Sequence, residues 1–181
     1  NAIGRIGVDG ATYRAMEFEG KAMGELSMDG RLTVCNMAIE AGAKSGIIAP
    51  DSKTVDYVRA RSRRPFQSYA SGADAQYVET VEFDVTGMEP QVALPHSPGN
   101  VRPVSEVAGT EVDQVVIGSC TNGRMEDMRI AARILKGRAV REGLRCIIIP
   151  ATQGIYLRAL GEGLIEAFAR AKAIVSTPTC G

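Results

Sequence analysis

The segment that most constrains the fold is Val115-Val116-Ile117-Gly118-Ser119-Cys120-Thr121-Asn122-Gly123-Arg124. An apolar, β-branched run meets a glycine and a turn of small residues, and a helical pattern follows. A short apolar run bounded by turn residues predicts a buried strand, so Cys120 falls at a strand's carboxyl end. Ala173-Ile174-Val175-Ser176 runs into Thr177-Pro178-Thr179-Cys180 in the same manner. Between the strands predicted at 114–118 and 173–176 lies a third at 144–149. Helical patterns at 125–136 and 155–171 separate the three, the second interrupted at Gly161-Glu162-Gly163. Strands alternating with helices predict a parallel sheet. Right-handed crossovers gather the loops after such strands along one edge, where open α/β sheets bind ligands. Cys120, Thr152-Gln153 and Cys180 are therefore expected on one edge, with the two thiols placed as metal ligands.

The first half reads as mixed α and β. Ser27 or Asp29 is the expected cap of a helix running to about Ala41, with Gly42 taking the left-handed position after it. Ser45–Pro50 reads as a short buried strand stopped by proline. Asp51 or Ser52 opens a helix to about Arg63, whose arginine-rich end suits a helix C-terminus. Tyr77, Val81, Phe83 and Val85 share one parity, which predicts a half-buried strand over 76–85. Four prolines crowd residues 90–103, and proline's missing donor makes this a crossing between domains. The boundary is placed near Leu94, giving domains 1–94 and 95–181.

The 181 residues are 45% apolar and 23% charged with zero formal net charge, an ordinary globular composition. No global field favours nucleic acid or an anionic membrane. The apolar runs fall far short of the ~20 residues needed to cross a bilayer. Four scattered cysteines, Cys35, Cys120, Cys146 and Cys180, argue against a secreted disulfide framework and for a reducing cytoplasm. Cys35 and Cys146 lie in apolar patterns and read as core. His96 is the sole histidine, so no histidine-based metal site or serine–histidine triad assembles from this chain, and it reads as a loop residue. The start without Met and the stop at Cys180-Gly181 read as the middle piece of a longer polypeptide.

Gly118-Ser119-Cys120-Thr121-Asn122-Gly123-Arg124 resembles a signature of the aconitase superfamily. Ser176-Thr177-Pro178-Thr179-Cys180-Gly181 resembles the start of its second signature, which continues to a further cysteine three positions on. Asp29-Gly30-Arg31-Leu32-Thr33-Val34-Cys35-Asn36-Met37-Ala38-Ile39-Glu40 resembles a third stretch. Three ordered matches from about Gly4 to Gly181 imply two small α/β domains of the aconitase type, the second with a parallel sheet and helical crossovers. They also imply an iron–sulfur hydro-lyase. The Gly-Arg ending of the first signature resembles the branch that isomerises 2- and 3-isopropylmalate by dehydration and rehydration in leucine biosynthesis. Homoaconitate hydration is the alternative.

The resemblance implies a [4Fe-4S] cluster held by three thiolates, two of them Cys120 and Cys180. Two thiolates alone hold a cluster poorly, so this chain is expected to carry none intact and to be inactive by itself. The implied partners are a small subunit with a swivelling domain and a hydroxy-dicarboxylate substrate, with no nucleic acid and no membrane. Asn36 and Glu40, four apart on a helix with Leu32, Cys35 and Ile39 as its apolar face, are implied to lie near cluster and substrate. Read without the resemblance, both are solvated surface residues. Arg124 is either a bidentate clamp for a substrate carboxylate or a helix-surface arginine. Asp29 and Arg31 read as surface residues. Backbone donors and a helix start are expected to favour the Cys120 thiolate, and Asn122 to cap the helix that follows. A reading from another class is a redox or binding module closed by a Cys120–Cys180 disulfide, which needs Cα atoms within roughly 7 Å.

Overall fold

A computed structural model describes residues 1–180. The chain divides into two units, Asn1–Ala108 and a second beginning at Gly109. The first carries helix α1 (Ala2–Ile6), strand β1 (Ala15–Glu17), helix α2 (Lys21–Glu25) and helix α3 (Met28–Met37). Ser27 caps α3, its hydroxyl accepting from the Gly30 N–H at 3.1 Å, which satisfies one of the unpaired first-turn donors. The predicted α-helix to Ala41 ends early. The chain tightens into a 3-10 turn over Ala38–Ala41 and stops at Gly42, left-handed at φ 78°.

Core spacing explains the change. Three residues per turn bring Ala38 and Ala41 to one side, where they bury with Ala11 and Ala43 against Ile3, Ile6, Met16 and Phe18. Ile39, expected beside Leu32 and Cys35 on the apolar face, is instead 61% exposed. Strand β2 (Ser45–Ile47) pairs in parallel with β1, Ala15 opposite Ser45 and Glu17 opposite Ile47. A side chain at Gly46 would strike the Cys35 backbone, so glycine there lets α3 lie directly on the strand.

Asp51 caps α4 (Ser52–Arg59), accepting from the Thr54 N–H at 3.1 Å. The same carboxylate takes both terminal nitrogens of Arg31, at 2.8 and 2.6 Å. Arg31 is 3% exposed and also donates to the Gly24 carbonyl at 3.0 Å. The expected surface arginine is thus a buried tie between α3, α4 and the end of α2. Its fork geometry makes that possible, because two parallel donors match one carboxylate.

The strand predicted over 76–85 does not form. Among the described residues no neighbouring strand takes its backbone groups, and side chains pin it instead. Glu17 accepts from Ser71 and Tyr77, each at 2.7 Å. Arg5 donates to the Glu82 carbonyl at 2.7 Å and lies over the Phe83 ring. Strands β3 (Gln91–Ala93) and β4 (Val101–Pro103) then pair antiparallel across the proline-rich stretch, Ala93 opposite Val101. Both belong to the first unit.

The second unit follows the sequence pattern closely. It carries β5 (Gln114–Gly118), α5 (Ser119–Asn122), α6 (Met125–Leu135), β6 (Arg145–Ile149), α7 (Gln153–Gly161), α8 (Leu164–Arg170) and β7 (Ile174–Val175). The strands lie in the order β5-β6-β7, parallel throughout. Met128, Ala131 and Ala132 on α6 meet Phe168 of α8 and Cys146 and Ile148 of β6 in one core. The three- and four-residue spacing along α6 makes the buried stripe. Phe168, Met128 and Ile148 are fully buried, each worth roughly 1.5–3 kcal/mol of transfer free energy. Gly163, left-handed at φ 75°, separates α7 from α8 where the glycine pair predicts a break.

Candidate functional site

The end of β5 takes a backbone that glycine alone adopts easily. Gly118 stands at φ 116° and ψ −132°, and a Cβ there would run into the Ile149 carbonyl. A Cβ at Gly123 would meet the same carbonyl and that of Ser119. These two glycines let α5 press its bare backbone onto the end of β6. The Ala151 N–H then donates to the Gly123 carbonyl at 2.9 Å, tying the turn to the loop after β6. Cys120 is left exposed at the carboxyl edge of the sheet.

The ladder of β7 continues one bond further, from the Ser176 N–H to the Ile148 carbonyl at 2.9 Å. That bond directs residues 177–180 toward the same edge. There the Cys180 thiol comes close enough to Cys120 to help lower the Cys120 thiol value. Both are free thiols, as are Cys35 and Cys146, so the structure contains no Cys120–Cys180 disulfide. Thr152 sits on this edge too and caps α7, its hydroxyl accepting from the Ile155 N–H at 3.2 Å.

Hydroxyl groups set the electrostatics of Cys120. Hydrogen bonding to Ser119, then Thr121, then Cys180 draws its thiol below the ordinary cysteine value. Ser119 Oγ lies 3.6 Å and Thr121 Oγ1 3.8 Å from Cys120 Sγ. Donors aimed at sulfur favour the thiolate, the form that binds metal. Burial alone pushes Cys35 and Cys146 up, which keeps those thiols neutral and suits their place in packed regions. Ser119 and Thr121 escaped the sequence reading although they flank Cys120, because their direction depends on the turn's dihedral angles.

Arg124 is half-buried just before α6. Its N–H donates to the Asp127 carboxylate at 3.0 Å, so Asp127 supplies the start of α6 with the partner that Asn122 was expected to give. Asn122 ends α5 and is exposed. The Arg124 Nε is buried without a partner among the described residues, which leaves this guanidinium with unused donor capacity.

Asn36 and Glu40 belong to the first unit and are both exposed. Asn36 lies in the last turn of α3, whereas Glu40 lies in the 3-10 turn. The expected stacking at i and i+4 on one helical face is lost there, because a three-residue turn brings i+3 into line instead. Asp29 lies in the first turn of α3, where a carboxylate suits the helix's positive end.

Among the described residues no group of three or more His, Cys, Asp or Glu side chains could hold a metal ion. The Cys120–Cys180 pair supplies two soft donors, one already biased toward thiolate. That chemistry fits two of the ligands an iron–sulfur cluster takes. Among the described residues no helix is long and apolar enough to cross a membrane.

A sequence profile of the aconitase family (aconitate hydratase) matches residues 1–110 and 105–181. The large subunit of 3-isopropylmalate dehydratase from Heliobacterium modesticaldum is 60% identical over 181 residues, all of this chain and 43% of the relative. The protein of the same name from Desulfitobacterium hafniense is 62% identical over 179 residues, 99% of this chain and 42% of the relative. That from Moorella thermoacetica is 59% identical over 99% of this chain. The chain therefore spans under half the length of the curated relatives it matches.

Proposed function

The chain belongs to the aconitase family, and on that premise we propose that its polypeptide is a hydro-lyase interconverting 2- and 3-isopropylmalate. One observation carries this reading. A chain about 60% identical to 3-isopropylmalate dehydratase large subunits brings the thiols of Cys120 and Cys180 together on one sheet edge. The proposed cofactor is a [4Fe-4S] cluster held by Cys120, Cys180 and a third thiolate from outside this sequence. When bound, the cluster supplies an iron with an open coordination position, a Lewis acid for eliminating a hydroxyl group.

The chain's own residues bind and orient. The Ser119 hydroxyl directed at the Cys120 sulfur, with Thr121 Oγ1 beside it, favours the thiolate that a cluster takes as ligand. Arg124 offers its guanidinium to a substrate carboxylate, for which two parallel donors are the matching geometry. Asn36 donates an amide hydrogen bond to the substrate hydroxyl, and Glu40 accepts from it. The proposed partner is a small subunit carrying a swivelling domain, as the relatives' designation as large subunits suggests. The catalytic base is assigned to a part of the polypeptide outside these residues.

The test is anaerobic iron–sulfur reconstitution of two polypeptides, this chain and one extended in both directions, the latter with its small subunit. The longer form is expected to take up about four irons and to turn over isopropylmalate. Cys120→Ser in the longer form is expected to lose iron. Uptake of no iron by the longer form would overturn the cluster reading. Turnover of homoaconitate in place of isopropylmalate would overturn the substrate assignment alone.

A further inference from the structure

Ser119 stands at φ 83°, one of three residues other than glycine with positive φ among those described. That conformation costs free energy and persists only where the surroundings over-determine it. Glycine would adopt it freely, and Gly118 and Gly123 already serve the same turn. What serine adds over glycine is a hydroxyl. Its oxygen accepts the Cys120 N–H at 2.6 Å, and its O–H donates to Cys120 Sγ at 3.6 Å. One hydroxyl has a proton and two lone pairs, so both bonds form at once.

We propose that Ser119 is a positioning residue for the iron–sulfur cluster, its strained backbone aiming a hydroxyl at Cys120 Sγ and so setting how much electron density that ligand gives the metal. This rests on the cluster reading of Cys120 and Cys180. A donor to a ligating sulfur withdraws charge from it and stabilises the reduced, more negative cluster, which raises the reduction potential. The strain therefore serves the tuning of one ligand, whereas a glycine at 119 would relax the turn and leave Cys120 without its nearest hydroxyl.

The test compares Ser119→Ala and Ser119→Gly in the extended polypeptide with its small subunit. Alanine keeps the strain and removes the hydroxyl; glycine removes both. Circular dichroism establishes folding, iron analysis establishes loading, and redox titration by electron paramagnetic resonance gives the midpoint potential. The expected result is a lower potential in both variants, by similar amounts, with the glycine variant melting above the parent. Loss of iron from both folded variants while the parent keeps it is the stronger form of the same result. A parent-like potential in the glycine variant overturns the proposal, because backbone geometry alone then accounts for Ser119. An effect confined to alanine overturns it for the same reason. A parent that takes up no iron overturns the cluster reading itself, and the role of Ser119 falls with it.

Discussion

Replacing Gly118 with alanine tests the geometry of the turn that presents Cys120. Two effects add at this position. The first is conformational: φ 116° with ψ −132° is a region that side chains rarely enter, at a cost of about 1–3 kcal/mol. The second is steric, because the new Cβ would meet the Ile149 carbonyl. That atom is backbone within the β5–β6 ladder and yields only if the two strand ends part. Overpacking of this kind costs about 1–3 kcal/mol. Together they predict a loss of roughly 2–6 kcal/mol.

Gly143→Ala isolates the first effect, since Gly143 sits at φ 83° with nothing near its Cβ position. It belongs to the same unit, so both variants report on one transition, and it is expected to cost about 1 kcal/mol. At roughly 2–4 °C per kcal/mol for a chain of this size, Gly118→Ala should melt at least ~4 °C below the parent by circular dichroism. Gly143→Ala should melt only ~2–4 °C below it. Equal losses in the two variants, within about 0.5 kcal/mol, would refute the steric argument. The β5–β6 contact would then not be what requires glycine at 118.

Phe168→Ala empties a fully buried position between α6, α8 and β6, and its urea midpoint should report a loss of about 3–5 kcal/mol. Arg31 holds the Asp51 carboxyl well below the usual carboxylate range. That contribution is complete above an unfolded-state pKa of about 3.9 and is lost as pH falls through the lower folded value. Asp51→Asn should therefore be less stable than the parent at neutral pH, with the difference narrowing in urea titrations run toward pH ~2. A difference independent of pH would mean that packing, not charge, makes the Arg31 tie. Cys120 is exposed with a lowered thiol value, and Cys146 is buried with a raised one. Mass-resolved alkylation of the native, metal-free chain near neutral pH should label Cys120 well before Cys146, and equal labelling would contradict the burial of Cys146.

Much of the second unit was legible because its signals are local. The runs at 114–118 and 144–149 are apolar, short and bounded by turn residues, and the buried stripe of α6 repeats at helical spacing. The meeting of Cys120 and Cys180 followed from topology, since parallel strands send their loops to one edge. The first unit gave weaker signals. Alternation over 76–85 is a necessary mark of a half-buried strand and not a sufficient one, because a strand also needs a partner for its backbone. Glu17, Arg14 and Arg5 hold that segment through side chains instead. Arg31 looked like a helix-surface charge, because no local pattern announces that Asp51, far along the chain, will come to meet it.

The sequence by itself determined the strand–turn–helix units, the cysteines at strand ends, and the glycines where backbone must meet backbone. All of these depend on residues within a few positions of one another and on the intrinsic limits of φ and ψ. Tertiary structure decided the rest. Burial of Ala38 and Ala41 turned the end of α3 into a 3-10 turn and moved Glu40 out of line with Asn36. Approach of α3 to α4 buried Arg31. The fold of the turn at 118–123 aimed the Ser119 hydroxyl at the Cys120 sulfur and set the Thr121 hydroxyl beside it. Each of those outcomes is a balance between local preference and the burial or pairing of groups distant in the chain, and the second side of that balance exists only once the chain has folded.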